Sequence, residues 1–281
     1  MSETAGLPEP PKRLDAFEAV FQSARLWLLR GVRGRRLLWM VAAILLLGGI
    51  SYLVGEFADR PHSHVRFLYR GVGTLLLGVV VPACALLLST AFPWPEAQEG
   101  TLTYWQTLPI PRWTTLLGRY LSCWIIGSLL LPLAVLVLYL PLELDPKVRA
   151  DEFAIAAVAA TLLVYPAYLA VFTLLCTALR RGLVIGVVFM LVENSFSFLK
   201  GMALQKLSLV FYSRCYVYAS IPDDPTRYQR MGLRNMALDP EMVVAGSYAA
   251  IVFVGVILVC TGLAMAVVST TEYRTKQGGT G

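Results

Sequence analysis

Six stretches of this chain carry at most one charged residue each: Leu37–Val54, Val72–Phe92, Leu116–Leu140, Phe153–Leu179, Leu183–Leu199 and Val243–Ser269. A run of about 18 or more apolar residues can cross the roughly 30 Å hydrocarbon core as a helix. Lipid offers no hydrogen-bond partner to an open backbone, so such runs form helices or the strands of a closed barrel. A barrel needs segments of about ten residues that alternate polar and apolar side chains. Leu37–Val54 does not alternate. The expectation is therefore an all-α integral membrane protein with six transmembrane helices spanning residues 37–270. Composition agrees: 57% of the 281 residues are hydrophobic and 15% charged, against about 45–50% and about 25% in soluble domains.

The segments between the runs give the organisation. Residues 1–12 are polar and Pro-rich and read as a disordered lead with no signal-peptide pattern. On that reading the first span inserts the protein by itself. Residues 13–36 read as an amphipathic helix. Leu14, Phe17, Val20, Phe21, Ala24, Trp27 and Leu28 recur at helical spacing, with Asp15, Glu18, Gln22 and Arg25 opposite and Arg30, Arg33, Arg35 and Arg36 following. That pattern suits a membrane surface; packing against other protein is the alternative. Lys and Arg orient the bundle. With the N-terminus in the cytoplasm, thirteen basic residues lie inside and eleven outside, and the seven that precede the first span are the strongest signal. Both termini are then cytoplasmic, the second including the polar tail 271–281. The loops 93–115 and 200–241 fall inside and outside respectively.

The cytoplasmic loop carries the most information. Glu96–Leu108 is suited to a short helix, with Pro95 in its first turn, Glu96 and Glu99 at its positive end, and Pro109 and Pro111 ending it. Leu102 and Trp105 share a face with Leu108 nearby, a small apolar knob of the kind that docks in a groove of a soluble partner. The series Glu99-Gly100-Thr101-Leu102, Leu108-Pro109-Ile110-Pro111-Arg112 and Leu117-Gly118-Arg119-Tyr120 resembles the coupling loop of type-2 ABC transporter permeases. Pro111 stands where that family commonly has Ser, and Arg119 where it has Lys. The resemblance covers nearly the whole chain. It makes 13–36 a connecting helix, and it expects short re-entrant or external helices in Leu199–Ser220.

The resemblance implies a permease subunit of an ATP-driven transporter in the bacterial cytoplasmic membrane, exporting or extracting a substrate. Glu99, Gly100, Thr101, Leu102, Trp105, Leu108, Pro109 and Arg112 would couple it to two copies of an ATPase subunit. A second permease copy, identical or similar, would complete the dimer. The chain has no G-x-x-x-x-G-K-[ST] phosphate loop. The expectation is that it is not itself an enzyme and binds no cofactor, with ATP and Mg held by the partner.

Smaller features stay open. Gly182 and Gly186 form a G-x-x-x-G that suits close helix approach, at a dimer interface if the resemblance holds, or simply as common membrane glycines. Glu193, inside an apolar run, is a candidate for the translocation path or for a residue near the outer interface that reaches water. His62 and His64 lack the further ligands of a metal site. Cys84, Cys123, Cys176 and Cys260 lie in apolar runs, and Cys215 in the long polar loop. The net charge of +6 reflects membrane-flanking arginines rather than nucleic-acid binding. Two rival functions are a non-transporting scaffold driven by an ATPase and, more remotely, a membrane enzyme acting on lipid.

Overall fold

The computed structural model describes residues 15–32, 35–56, 70–90, 111–143, 151–198, 203–219 and 243–271. All regular structure among them is helical: α1 (Ala16–Val32), α2 (Arg35–Glu56), α3 (Gly71–Ser89), α4 (Arg112–Glu143), α5 (Asp151–Ala178), α6 (Gly182–Phe198), α7 (Leu209–Ala219) and α8 (Gly246–Thr270). A single 3-10 turn, Ala203–Leu207, precedes α7.

Each apolar run of the sequence overlaps a helix in its described residues. Among the described residues four helices are long and apolar enough to cross a membrane: α3, Arg112–Tyr139 of α4, Phe153–Ala178 of α5, and α8. The apolar parts of α2 and α6, Leu37–Ile50 and Gly182–Phe196, are shorter. The outward surface suits lipid. Trp39, Leu45 and Leu46 on α2, Leu129 on α4, Val184 and Leu191 on α6, and Ile251 and Leu258 on α8 are all largely exposed. Apolar patches of that extent are rare on a water-soluble monomer.

Helix α5 is the centre of the bundle. It packs against α3, α4, α6, α7 and α8, and Val164, Tyr165, Ala167, Tyr168, Ala170 and Phe172 are fully enclosed. In lipid the hydrophobic effect does not drive helices together, so small residues and interhelical hydrogen bonds matter more. Ala156, Ala157, Ala160, Ala167 and Ala170 supply the small surface. Two tyrosines supply the bonds. Tyr165 donates to the carbonyl of Cys123 at 2.7 Å, and Tyr120 on α4 donates to that of Pro166 at 3.0 Å. Gly127 makes the first possible, because any Cβ there would overlap the Tyr165 ring.

Helix α1 shows a division the periodicity did not. Val20 and Trp27 from the expected apolar face are buried together with Ala19 and Ser23, and this side packs on α4. Phe17 and Phe21 remain outside, Phe17 at 84% exposure. The helix thus has one face for protein and an adjacent aromatic face for another apolar environment.

Candidate functional site

Among the described residues two polar constellations stand out. The first surrounds Glu193, near the end of α6. Its side chain is 4% exposed, and one carboxylate oxygen, Oε1, accepts four hydrogen bonds from described residues. The Tyr168 hydroxyl donates from α5 at 2.7 Å. The backbone N–H groups of Leu209 and Val210 donate at 2.6 and 3.2 Å, and the Ser208 hydroxyl at 3.5 Å. Leu209 and Val210 open α7, whose first N–H groups have no partner within the helix. An anionic oxygen at a helix N-terminus satisfies those donors and complements the helix dipole. Glu193 therefore acts as a cap supplied from another helix.

The neighbours extend the constellation. Asn194 sends Nδ2 to the carbonyl of Gly78 on α3 at 2.6 Å and to that of Met190 at 3.1 Å. Arg214, on α7 and 1% exposed, sends Nε to the carbonyl of Gly73 on α3 at 2.8 Å. The bonded groups are directed at one another and at backbone. The arrangement clamps α7 onto α3, α5 and α6.

The second constellation lies where α4 begins, immediately after the Glu99–Pro111 stretch. Gly118 lets α1 approach: a Cβ there would sit 2.7 Å from the Ser23 side chain and 2.8 Å from the Val20 carbonyl. The Ser122 hydroxyl donates to the Ala24 carbonyl at 2.7 Å, and the Ser23 hydroxyl to the Thr115 carbonyl at 3.5 Å. The Arg119 guanidinium lies 4.4 Å from the Trp27 ring centroid, with Arg30 at 5.3 Å. Arg119 also donates to the Leu88 carbonyl at the end of α3, at 3.3 Å. Leu116 packs against Ala264 and Val268 of α8, and Arg112 reaches the Thr271 carbonyl at 3.5 Å. The first three turns of α4 thus join α1, α3 and α8. Beside them Ser89, Arg119, Tyr120 and Thr173 border a cavity of about 10 Å³, room for one water molecule.

The sequence candidates fare unevenly. Glu99, Gly100, Thr101, Leu102, Trp105, Leu108 and Pro109 lie outside the described residues, as do His62 and His64. Arg112 is exposed at the head of α4. Gly182 and Gly186 both face inward. A Cβ at Gly182 would meet Cys176, and one at Gly186 would meet Leu86 and Phe172, all of the same chain. The face α6 leaves outward is instead Leu183, Val184, Val187, Val188, Leu191 and Val192. Cys215 is fully buried within α7 rather than in an open polar loop. Among the described residues no group of three or more His, Cys, Asp or Glu is placed to hold a metal.

Residues that sequence reasoning did not single out are Tyr168, Asn194, Ser208, Arg214 and the Trp27–Arg119 pair as partners. Arg214 gave the clearest signal, a charge inside the otherwise apolar Leu209–Ala219. Comparison with known families and with curated proteins finds no match to the chain.

Proposed function

We propose that this chain is the permease subunit of an ATP-driven ABC transporter that exports or extracts a substrate across the bacterial cytoplasmic membrane. In this reading α2 and α6 also cross the bilayer, giving six spans with both termini in the cytoplasm. A second permease copy and two ATPase subunits complete the machine, and ATP hydrolysis belongs to those subunits. The observation that carries the reading is the motif running from Glu99 to Tyr120 at the junction of α3 and α4. What supports it further is how that motif's last residues are used. Gly118 and Arg119 bind α4 to α1 and to the end of α3, so a push on the loop between α3 and α4 would be felt by three helices together. Closure of two ATPase subunits on ATP would deliver such a push, and packed helices respond by shifting between discrete arrangements.

The test is affinity purification of the tagged chain from its native membrane. An ATPase subunit co-purifies and its hydrolysis rate rises when the chain is present. Trp105→Ala and Glu99→Ala reduce that stimulation at least several-fold. Purification with no ATPase, or stimulation untouched by both substitutions, rejects the reading.

A further inference from the structure

The first ten residues of α3, Gly71–Val80, are wound as a π-helix before the chain continues as α-helix through Ser89. The junction shows it: the Val81 N–H donates to the Leu76 carbonyl, five residues back. π winding is rare and usually confined to one turn. Its cause at the downstream end is Pro82, which has no N–H to offer the Gly78 carbonyl and whose ring crowds that group in an α-helix. Asn194 supplies the missing donor to Gly78. Gly78 has no side chain to obstruct it; a Cβ there would lie 2.8 Å from the Asn194 side-chain oxygen.

A single proline does not require more than one turn of adjustment. The winding continues upstream to Gly71, and there Arg214 donates to the Gly73 carbonyl at 2.8 Å. Gly73 and Gly78 are five residues apart, so π winding aligns both carbonyls on the side facing α6 and α7. Thr74 assists by donating its hydroxyl to the Arg70 carbonyl. Within the π winding the Gly73 carbonyl also takes the N–H of Gly78, so Arg214 is a second donor to it; in an α-helix the Gly73 and Gly78 carbonyls would stand about 140° apart, and donors arriving from one side would not reach both.

We propose that the upstream half of α3 is a winding switch, held in its π form by Arg214 only while α7 is docked. Undocking α7 returns Gly71–Leu77 to α winding, which lengthens α3 and turns its upstream residues relative to the Ser89 end. Movement of the segment between α6 and α8 is thereby passed along α3 to the loop that follows it. The switch is a property of the fold and stands whether or not an ATPase drives it.

Pulsed electron spin resonance measures it directly, with spin labels at the exposed positions Arg70 and Leu87 and the five native cysteines replaced. Seventeen residues of α-helix span about 26 Å; the π turns make the wild-type backbone separation shorter. Arg214→Gln, which shortens the donor, is expected to add a longer distance near the α-helical value. Glu193→Ala, which frees the start of α7 without touching α3, is expected to do the same. Arg214→Lys keeps a donor and is expected to hold the wild-type distance more closely than Arg214→Gln. A wild-type distance already at the α-helical value overturns the proposal. So does an unchanged distance in both Arg214→Gln and Glu193→Ala. If either of those cannot be purified as a single species, a lengthened distance in Arg214→Lys equal to that of the surviving variant overturns it.

Discussion

Glu193 shows how much one buried carboxylate can organise. Its Oε1 takes bonds from two backbone N–H groups, a tyrosine and a serine, drawn from α5, α7 and the turn before α7. Removing it strands several donors in apolar surroundings, at about 1–3 kcal/mol for each group left unsatisfied. Glu193→Ala should therefore loosen the start of α7, and amide hydrogen exchange across Leu209–Ala219 should quicken at least about tenfold, which corresponds to about 1.4 kcal/mol. Glu193→Gln keeps an acceptor oxygen at the same reach and should quicken exchange less than Glu193→Ala. Equal exchange in all three proteins would show that the carboxylate does not hold the helix.

At the scale of elements, α1 and the head of α4 form one unit. Trp27 sits between α1 and the Arg119 guanidinium, and Gly118 permits backbone-level contact. Cation–π contact contributes about 0.5–2 kcal/mol, and losing a buried Trp side chain costs about 3–5 kcal/mol in a well-packed core. Trp27→Ala should detach α1, and trypsin should then cut after the exposed Arg25 and Arg30 at least about tenfold faster than in the wild type. Gly118→Leu should do the same by pushing against Ser23 and the Val20 carbonyl. Wild-type cutting rates in both would show that α1 is held by other means. The divided surface of α1 also matters. The face toward α4 carries Ala19, Val20, Ser23 and Trp27, and Phe17 and Phe21 are left for a second apolar environment, which a membrane surface provides.

At the scale of the whole molecule, α5 is the pivot around which five helices pack, and the outward faces of α2, α4, α6 and α8 are apolar. The proposed topology puts both termini in the cytoplasm. A fluorescent protein fused after Gly281 should then fold and emit, and a periplasm-dependent phosphatase at the same place should be inactive. The reverse pair of results would invert the bundle, and would move the Glu99–Arg112 stretch to the side without ATP. That single measurement thus bears on the functional reading as well as on the orientation.

The sequence by itself determined the helical class. Long apolar runs leave the backbone no alternative in lipid, and each of the six overlaps a helix for that reason. It also located Glu193 as unusual, because an isolated carboxylate among apolar residues is costly wherever it points. It left that residue's partners undetermined. Tyr168, Ser208 and Arg214 lie in three different segments, and a pattern along one chain does not say which segments meet. The same limit applied to Gly182 and Gly186: small-residue spacing signals close approach, but only packing decided that the approach is to Cys176, Leu86 and Phe172 of the same chain. The π winding of α3 was hidden for a related reason. Pro82 announces a disturbed helix, while the donors that extend the disturbance come from α6 and α7, and their arrival is a tertiary fact.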